Sequence, residues 1–427
     1  MKFSVNRLSK NYFAFVLAAL AIYFITFTLL KTLGVLSEFP NANNLLNWDA
    51  SWYYSIVKEG YIYHEGVQSN TGFFPGFPFL WKSLAASPQV ISLINLLLYL
   101  SGLYFLHLYF SKTLIHTVFI LVLPSTFFLF IPYSEALFYI FSVGFIISWV
   151  KNKHLLLILF AISLSIVRPV FFFLIPALIS IILFKPWKDN FLKIGLSSFS
   201  LLLGAAIGFI IIGYEQNDLF LYSKSQINNW SHSFQLTSFP LTTWRGYRIL
   251  WLDALALLFT LSATLILILS FYKKWILKKT ISIDPIVLVA FGYLFMSLIY
   301  VLFFHPVEED RTSILSLNRY VFVNPFFHLL LFKYMGNFTA TRKVLITIIS
   351  IIIVCLISIG FPYTNVVELS YSQSLFFYIV LAIYMFGVFL IFIKFKYSVI
   401  LVTVLSLIHL LLLFYLFNSF LKGNWIG

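Results

Sequence analysis

The stretch HLLLILFAISLSIVRPVFFFLIPALISIILF, residues 154–184, decides how the chain is arranged. As one long helix it would carry Arg168-Pro169 at its middle, where a guanidinium costs at least about 2.5 kcal/mol in a bilayer and the proline breaks the hydrogen-bond ladder. As two short spans it turns at Arg168-Pro169, and the lysines from Lys185 to Lys193 return to the side of Lys151 and Lys153. Every later loop then falls on a side that suits its charge. The pair is preferred, and it puts Arg168 at the same membrane face as Asp49 and Glu135.

Composition agrees with a chain made of such spans. Hydrophobic residues make up 61%, aromatic residues 20% and charged residues only 10%, with a mean hydropathy of +0.97. A soluble domain would need about 25% charged residues, so the expected fold class is an all-α polytopic membrane protein. About thirteen spans are expected, near 11–33, 91–110, 114–131, 136–150, 154–167, 169–184, 194–213, 249–271, 284–304, 319–332, 344–360, 374–393 and 397–420. With the N-terminus and Lys2, Arg7 and Lys10 cytoplasmic, the inside connections carry 18 of the 28 Lys and Arg residues but only Asp189 and Asp284 of the 14 acids. The net charge of +14 is therefore a matter of topology. It gives no reason to invoke nucleic acid, and no Gly-rich phosphate loop suggests a nucleotide motor. The single cysteine, Cys355, excludes an intrachain disulfide. Residues 1–427 read as one integral domain whose first span is kept as an anchor.

The long outside loops are expected at 34–90, 214–248 and 305–318, where function concentrates. The first holds Trp48-Asp49, Trp52, Tyr53, Gly60-Tyr61 and the run Phe73-Phe74-Pro75-Gly76-Phe77-Pro78. A short turn adds Tyr133-Ser134-Glu135, the second long loop adds Gln226, Trp230, His232, Trp244 and Arg245, and the third region adds His305, Glu308, Glu309, Asp310 and Arg319. Acids, cations and aromatic platforms at one face are the parts needed to bind a sugar and a phosphate.

Trp48-Asp49, Gly60-Tyr61, Phe73 to Pro78 and Tyr133-Ser134-Glu135-Ala136-Leu137-Phe138, in that order and spacing, resemble the second GPI mannosyltransferase family (PIG-V type) and its prokaryotic relatives. The likeness covers about residues 45–140. Gln226 with Trp230, Arg319-Tyr320 and Ser165 to Pro169 are similar to later family patterns, less specifically. The resemblance implies a GT-C fold and a glycosyltransferase that uses a polyprenyl-phosphate sugar, mannose by preference, with the catalytic carboxylate in the first outside loop. It leaves the acceptor open among glycolipids, glycans and proteins, and the membrane open between the cell membrane of a prokaryote and the endoplasmic reticulum.

The chemistry can also be argued from the residues. A lipid-linked phosphosugar already has a weakly basic leaving group, so its departure needs charge stabilisation more than a general acid. Attack by a sugar hydroxyl needs a proton acceptor. Asp49 is the candidate base and Glu135 the second catalytic carboxylate; Trp48, Trp52, Tyr53, Tyr61, Gln226 and Trp230 are candidate substrate contacts. Arginine suits phosphate better than lysine, which ranks Arg168 first, then Arg319, then Arg245. Phe74, Pro75, Gly76 and Pro78 are assigned to a rigid, non-helical loop path. Without an Asp-X-Asp pair in the first loop no divalent metal or other cofactor is expected, although Glu308, Glu309 and Asp310 could bind one. Partners expected are the lipid-linked donor, the acceptor and membrane lipids, with room for a small membrane subunit.

Each group has a plainer role to weigh. Asp49 could simply cap a helix, Glu135 could answer a helix dipole, and the tryptophans could belong to an interfacial belt. Arg168 could pair with Glu135 for structure alone. Within the enzyme class, arabinose or glucose donors compete with mannose. A transporter or flippase would share the composition but should place ionisable groups near the midplane, and a noncatalytic scaffold subunit would tolerate Asp49→Asn.

Overall fold

Prolines, lysines and glycines punctuate the apolar runs and set the helix ends. The computed structural model describes residues 5–111, 113–239, 241–243, 247–304, 307–308, 311–335, 342–359, 370–393 and 396–426. The helices among them are α1 (Val5–Thr32), α2 (Asp49–Glu59), α3 (Gly76–Leu84), α4 (Pro88–Phe110), α5 (Leu114–Leu121), α6 (Glu135–Val150), α7 (His154–Val167), α8 (Phe171–Phe184) and α9 (Trp187–Gly213). They continue as α10 (Leu221–Lys224), α11 (Tyr247–Phe271), α12 (Pro285–Phe304), α13 (Leu317–Phe322), α14 (Pro325–Tyr334), α15 (Arg342–Ile359), α16 (Tyr371–Phe392) and α17 (Ser398–Leu421). A two-residue antiparallel ribbon, β1 (Val307–Glu308) with β2 (Arg311–Thr312), lies between α12 and α13.

Among the described residues six stretches, lying in α1, α4, α9, α11, α12 and α17, are long and apolar enough to cross a membrane, which is the architecture of a helical membrane protein. The 154–184 segment is divided as expected: α7 ends at Val167, Arg168 is extended, and α8 starts at Phe171. Two other expected spans are not continuous helices. In 114–131, α5 stops at Leu121 and a 3-10 turn runs from Pro124 to Leu129, because Pro124 lacks the N–H that would extend the helix. In 319–332, α13 and α14 part at Asn324-Pro325. There Asn324 Oδ1 accepts from the Phe326 N–H at 2.9 Å and restarts the chain as a new helix. At about 1.5 Å per residue, α5 and α14 reach only about 12 and 15 Å, well short of a hydrocarbon core of about 30 Å.

The helices pack as α4 on α6, α6 on α7, α7 on α9, α8 on α9 and α12, and α11 on α12. Large side chains fill the joints, among them Trp81, Tyr99, Tyr139, Phe127, Phe145 and Phe326. Phe24, Phe199 and Leu407 point outward from α1, α9 and α17, as suits surfaces whose solvent is lipid. The two ends of the bundle differ in chemistry. At one, lysines tie neighbouring segments together: Lys185 Nζ donates to Ile281 O at 2.7 Å, Lys193 Nζ to Trp149 O at 3.2 Å, and Lys333 pairs with Asp284 at 2.7 Å. At the other, α2, the turn before α6, the α7–α8 break and α13 converge.

Candidate functional site

At that second end four charged side chains from four separate segments form one continuous chain of ion pairs. Asp49 Oδ2 receives Arg319 Nη2 at 2.8 Å. Arg319 Nε donates to Glu135 Oε1, and Arg168 Nη1 donates to the same oxygen at 2.8 Å. Two carboxylates thus answer two guanidiniums. The middle of the chain is buried, with Glu135 1% and Arg319 8% exposed, while its ends remain open, Asp49 at 17% and Arg168 at 23%. Glu135 Oε2 is buried and accepts no hydrogen bond, and an orphaned carboxylate oxygen calls for an explanation in a native site.

Local sequence explains why these groups meet. Asp49 opens α2 but does not cap it: the capping position belongs to Trp48, which makes no side-chain cap bond and has a φ of 56°. That left-handed backbone is strained for a bulky residue, and it frees the carboxylate to face Arg319. Glu135 opens α6, where its charge also suits the helix N-terminus. The preceding turn hangs on Asn95 of α4, whose buried amide donates to Ile131 O at 2.6 Å and Tyr133 O at 2.9 Å. Arg319 lies 4.7 Å from the Tyr133 ring and 5.3 Å from that of Phe128, so its charge rests on aromatic faces.

Sequence reasoning missed what places Arg319. Asp253 of α11, fully buried, accepts from Asn318 N at 3.0 Å, Asn318 Nδ2 at 2.8 Å and Thr243 Oγ1 at 3.0 Å. Ser125 Oγ donates to Asn318 Oδ1 at 2.8 Å. The residue before Arg319 is therefore fixed from two sides. A lone acid inside an apolar run was the available signal.

The aromatic candidates gather beside the ion pairs. Trp52 meets Trp230 edge-on at 5.7 Å, Phe73 stands 5.5 Å from Trp230 and 5.1 Å from Tyr53, and Tyr53 donates to Ser134 Oγ at 2.8 Å, next to Glu135. Burial pushes the Tyr53 phenol up, which keeps it a neutral donor.

Other candidates serve the loop itself. Tyr61 is buried and donates to Phe73 O at 2.9 Å. Gln226 Nε2 donates to Gly72 O at 3.0 Å and Trp230 Nε1 to Ser69 O at 3.2 Å, so the 225–232 segment braces the first loop. Gly72 is required there, because a Cβ would lie 2.5 Å from Trp230 Nε1. His232 Nδ1 meets Gln226 Oε1 at 2.6 Å, and burial pulls its imidazole down to about 4.

The Phe73–Pro78 run departs from the expected non-helical path. Only the part up to Pro75 is irregular; α3 begins at Gly76 with Pro78 in its first turn, where a missing N–H costs nothing. Gly76 permits close approach to the end of α7, since a Cβ would sit 2.8 Å from Val167 Cγ2 and 2.9 Å from Ile166 O. Phe74 turns away and is buried against Phe209 and Tyr222.

The structure thus brings together Trp48, Asp49, Trp52, Tyr53, Glu135, Arg168, Trp230 and Arg319, and assigns Tyr61, Gln226, Phe74, Pro75, Gly76 and Pro78 to the frame around them. Arg245, with Trp244, His305, Glu309 and Asp310, lies outside the described residues. Among the described residues no three His, Cys, Asp or Glu side chains are grouped to hold a metal. No family model, no curated protein and no solved structure matches the chain.

Proposed function

We propose that the chain is an inverting, multi-pass glycosyltransferase of GT-C type that moves a sugar, mannose by the resemblance of its motifs, from a polyprenyl-phosphate donor to a glycolipid or glycan acceptor at the noncytoplasmic face. The observation that carries this is the Asp49–Arg319–Glu135–Arg168 chain, partly exposed at one carboxylate and at one guanidinium. Asp49 takes the proton of the attacking hydroxyl, a role that contributes about 10²- to 10⁴-fold. Arg168 faces the departing phosphate, and a fixed guanidinium stabilises that charge without reorganisation. Glu135, buried and shared by both arginines, holds them in place more than it handles protons. Trp52 and Trp230, set edge to face at 5.7 Å, form an aromatic wall of the kind on which a sugar packs.

The test is transfer of radiolabelled mannose from polyprenyl-phosphate mannose in membranes holding wild type or Asp49→Asn at equal expression. Transfer by wild type and its loss in the variant is the expected result, and the labelled product names the acceptor. Equal transfer by the two would remove Asp49 from the mechanism, and failure of wild type with mannose, arabinose and glucose donors would remove the reading.

A further inference from the structure

The base candidate is held from the far end of the chain. Asn418, near the end of α17, is buried and its Oδ1 accepts from the N–H groups of Ser37 and Glu38, each at 3.0 Å. Asn47 Nδ2 donates to Phe420 O at 2.8 Å. The Phe420 ring meets Tyr133 edge-on at 5.9 Å, beneath Arg319. After a turn at Gly423, which has a φ of 79°, Trp425 presses its ring against Trp48 at 4.8 Å and 77°, and Ile426 is buried. Trp48 Nε1 is buried without a hydrogen bond, so ring packing and not its polar atom fixes this residue. Its strained backbone conformation survives only if neighbours hold it.

We propose that residues 418–426 clamp the Trp48-Asp49 peptide and that Trp425 is a positioning residue acting on Asp49 through Trp48. The proposal rests on the reading of Asp49 as the base. A misplacement of about 1 Å at a reacting group costs as much as 10²-fold, so loss of the Trp425 ring is read in turnover. Donor binding at Arg168 and Trp230, which lie on segments other than α2, is left intact.

The experiment uses the full chain in nanodiscs, in wild type, Trp425→Ala, Trp425→Phe and, as a control at the lysine end of the bundle where Trp275 Nε1 donates to Leu183 O at 3.1 Å, Trp275→Ala. Two readouts are taken: steady-state transfer, and the fluorine spectrum of protein made with 5-fluorotryptophan, with the Trp52 line assigned by Trp52→Phe. Trp52 lies on α2 against Phe73 and Trp230, so its line reports displacement of the helix that carries Asp49 against those rings. Expected for Trp425→Ala are a roughly 10- to 100-fold fall in kcat with donor KM changed less than about 2-fold, and a displaced or split Trp52 line. Trp425→Phe restores both, and Trp275→Ala changes neither. An unmoved Trp52 line, an unchanged kcat, or a loss confined to KM overturns the clamp. If wild type transfers no lipid-linked sugar, the reading of the site fails on its own account. The Trp52 line then decides the clamp: displaced in Trp425→Ala, it stands; unmoved, it falls.

Discussion

Two ion-pair systems at opposite ends of the bundle have nearly equal bond lengths and different physics. Lys333 and Asp284 meet at 2.7 Å with about half of each side chain in contact with solvent, 49% and 54%. Arg319 and Asp49 meet at 2.8 Å, but Arg319 is nearly enclosed and shares Glu135 with Arg168. An exposed pair contributes about 0 to 1 kcal/mol. In a buried one the desolvation of each charge is large, and the cost appears when one partner is removed and the other is stranded. Separation alone therefore says little about what a charge does. Enclosure and the number of partners say more.

The comparison breaks most visibly at its centre. Arg319→Met strands Asp49 and leaves the buried Glu135 with Arg168 alone, and a loss of about 3 to 5 kcal/mol is expected in denaturant or thermal unfolding, along with loss of transfer. A variant as stable as wild type would mean that the network is no more constrained than a surface pair.

A middle-sized effect should come from pH. His232 is neutral when folded, with its pKa pulled to about 4 by burial, whereas an unfolded histidine titrates near 6.5. Between those values the unfolded chain binds the extra proton, so stability is full above about 6.5 and falls as pH drops toward about 4. His232→Gln should flatten that part of a melting-temperature profile, and an unchanged slope would reject the assignment. The smallest effect belongs to the exposed pair, where Lys333→Ala should stay within about 0.5 kcal/mol of wild type. A larger loss would erase the contrast from the other side.

What the sequence revealed depended on how local the cause was. The break at Arg168-Pro169 was legible because a charge and a proline in one apolar run point to the same conclusion. The breaks at Pro124 and at Asn324-Pro325 carried the same kind of signal, but hydropathy averaged over a span conceals a proline among phenylalanines. Asp49, Glu135, Arg168 and Arg319 could be named as candidates, since charges are scarce in this chain, whereas their connection through one oxygen of Glu135 could not. That connection depends on α13, packed on α11 and α12, presenting Arg319 to the starts of α2 and α6. Asp253 and Asn95 passed unnoticed as lone polar residues within long apolar runs, although each positions a backbone segment next to a charged group. Trp425 was invisible for another reason: its partner, Trp48, lies at the other end of the chain, and no periodicity connects them.

The order in which the ion pairs can form follows from the same long reach. A ribosome releases Asp49 first, then Glu135, then Arg168, and Arg319 emerges 184 residues after Glu135. Until then Glu135 has Arg168 for company and Asp49 has no counter-ion from this set. Insertion of the early helices must therefore proceed with one carboxylate uncompensated, kept at the wet boundary of the bilayer. The arrival of α13 is the step that draws four separately delivered segments into one charge-neutral knot, so a nascent chain stalled before Leu317 would be inserted but unassembled at this end.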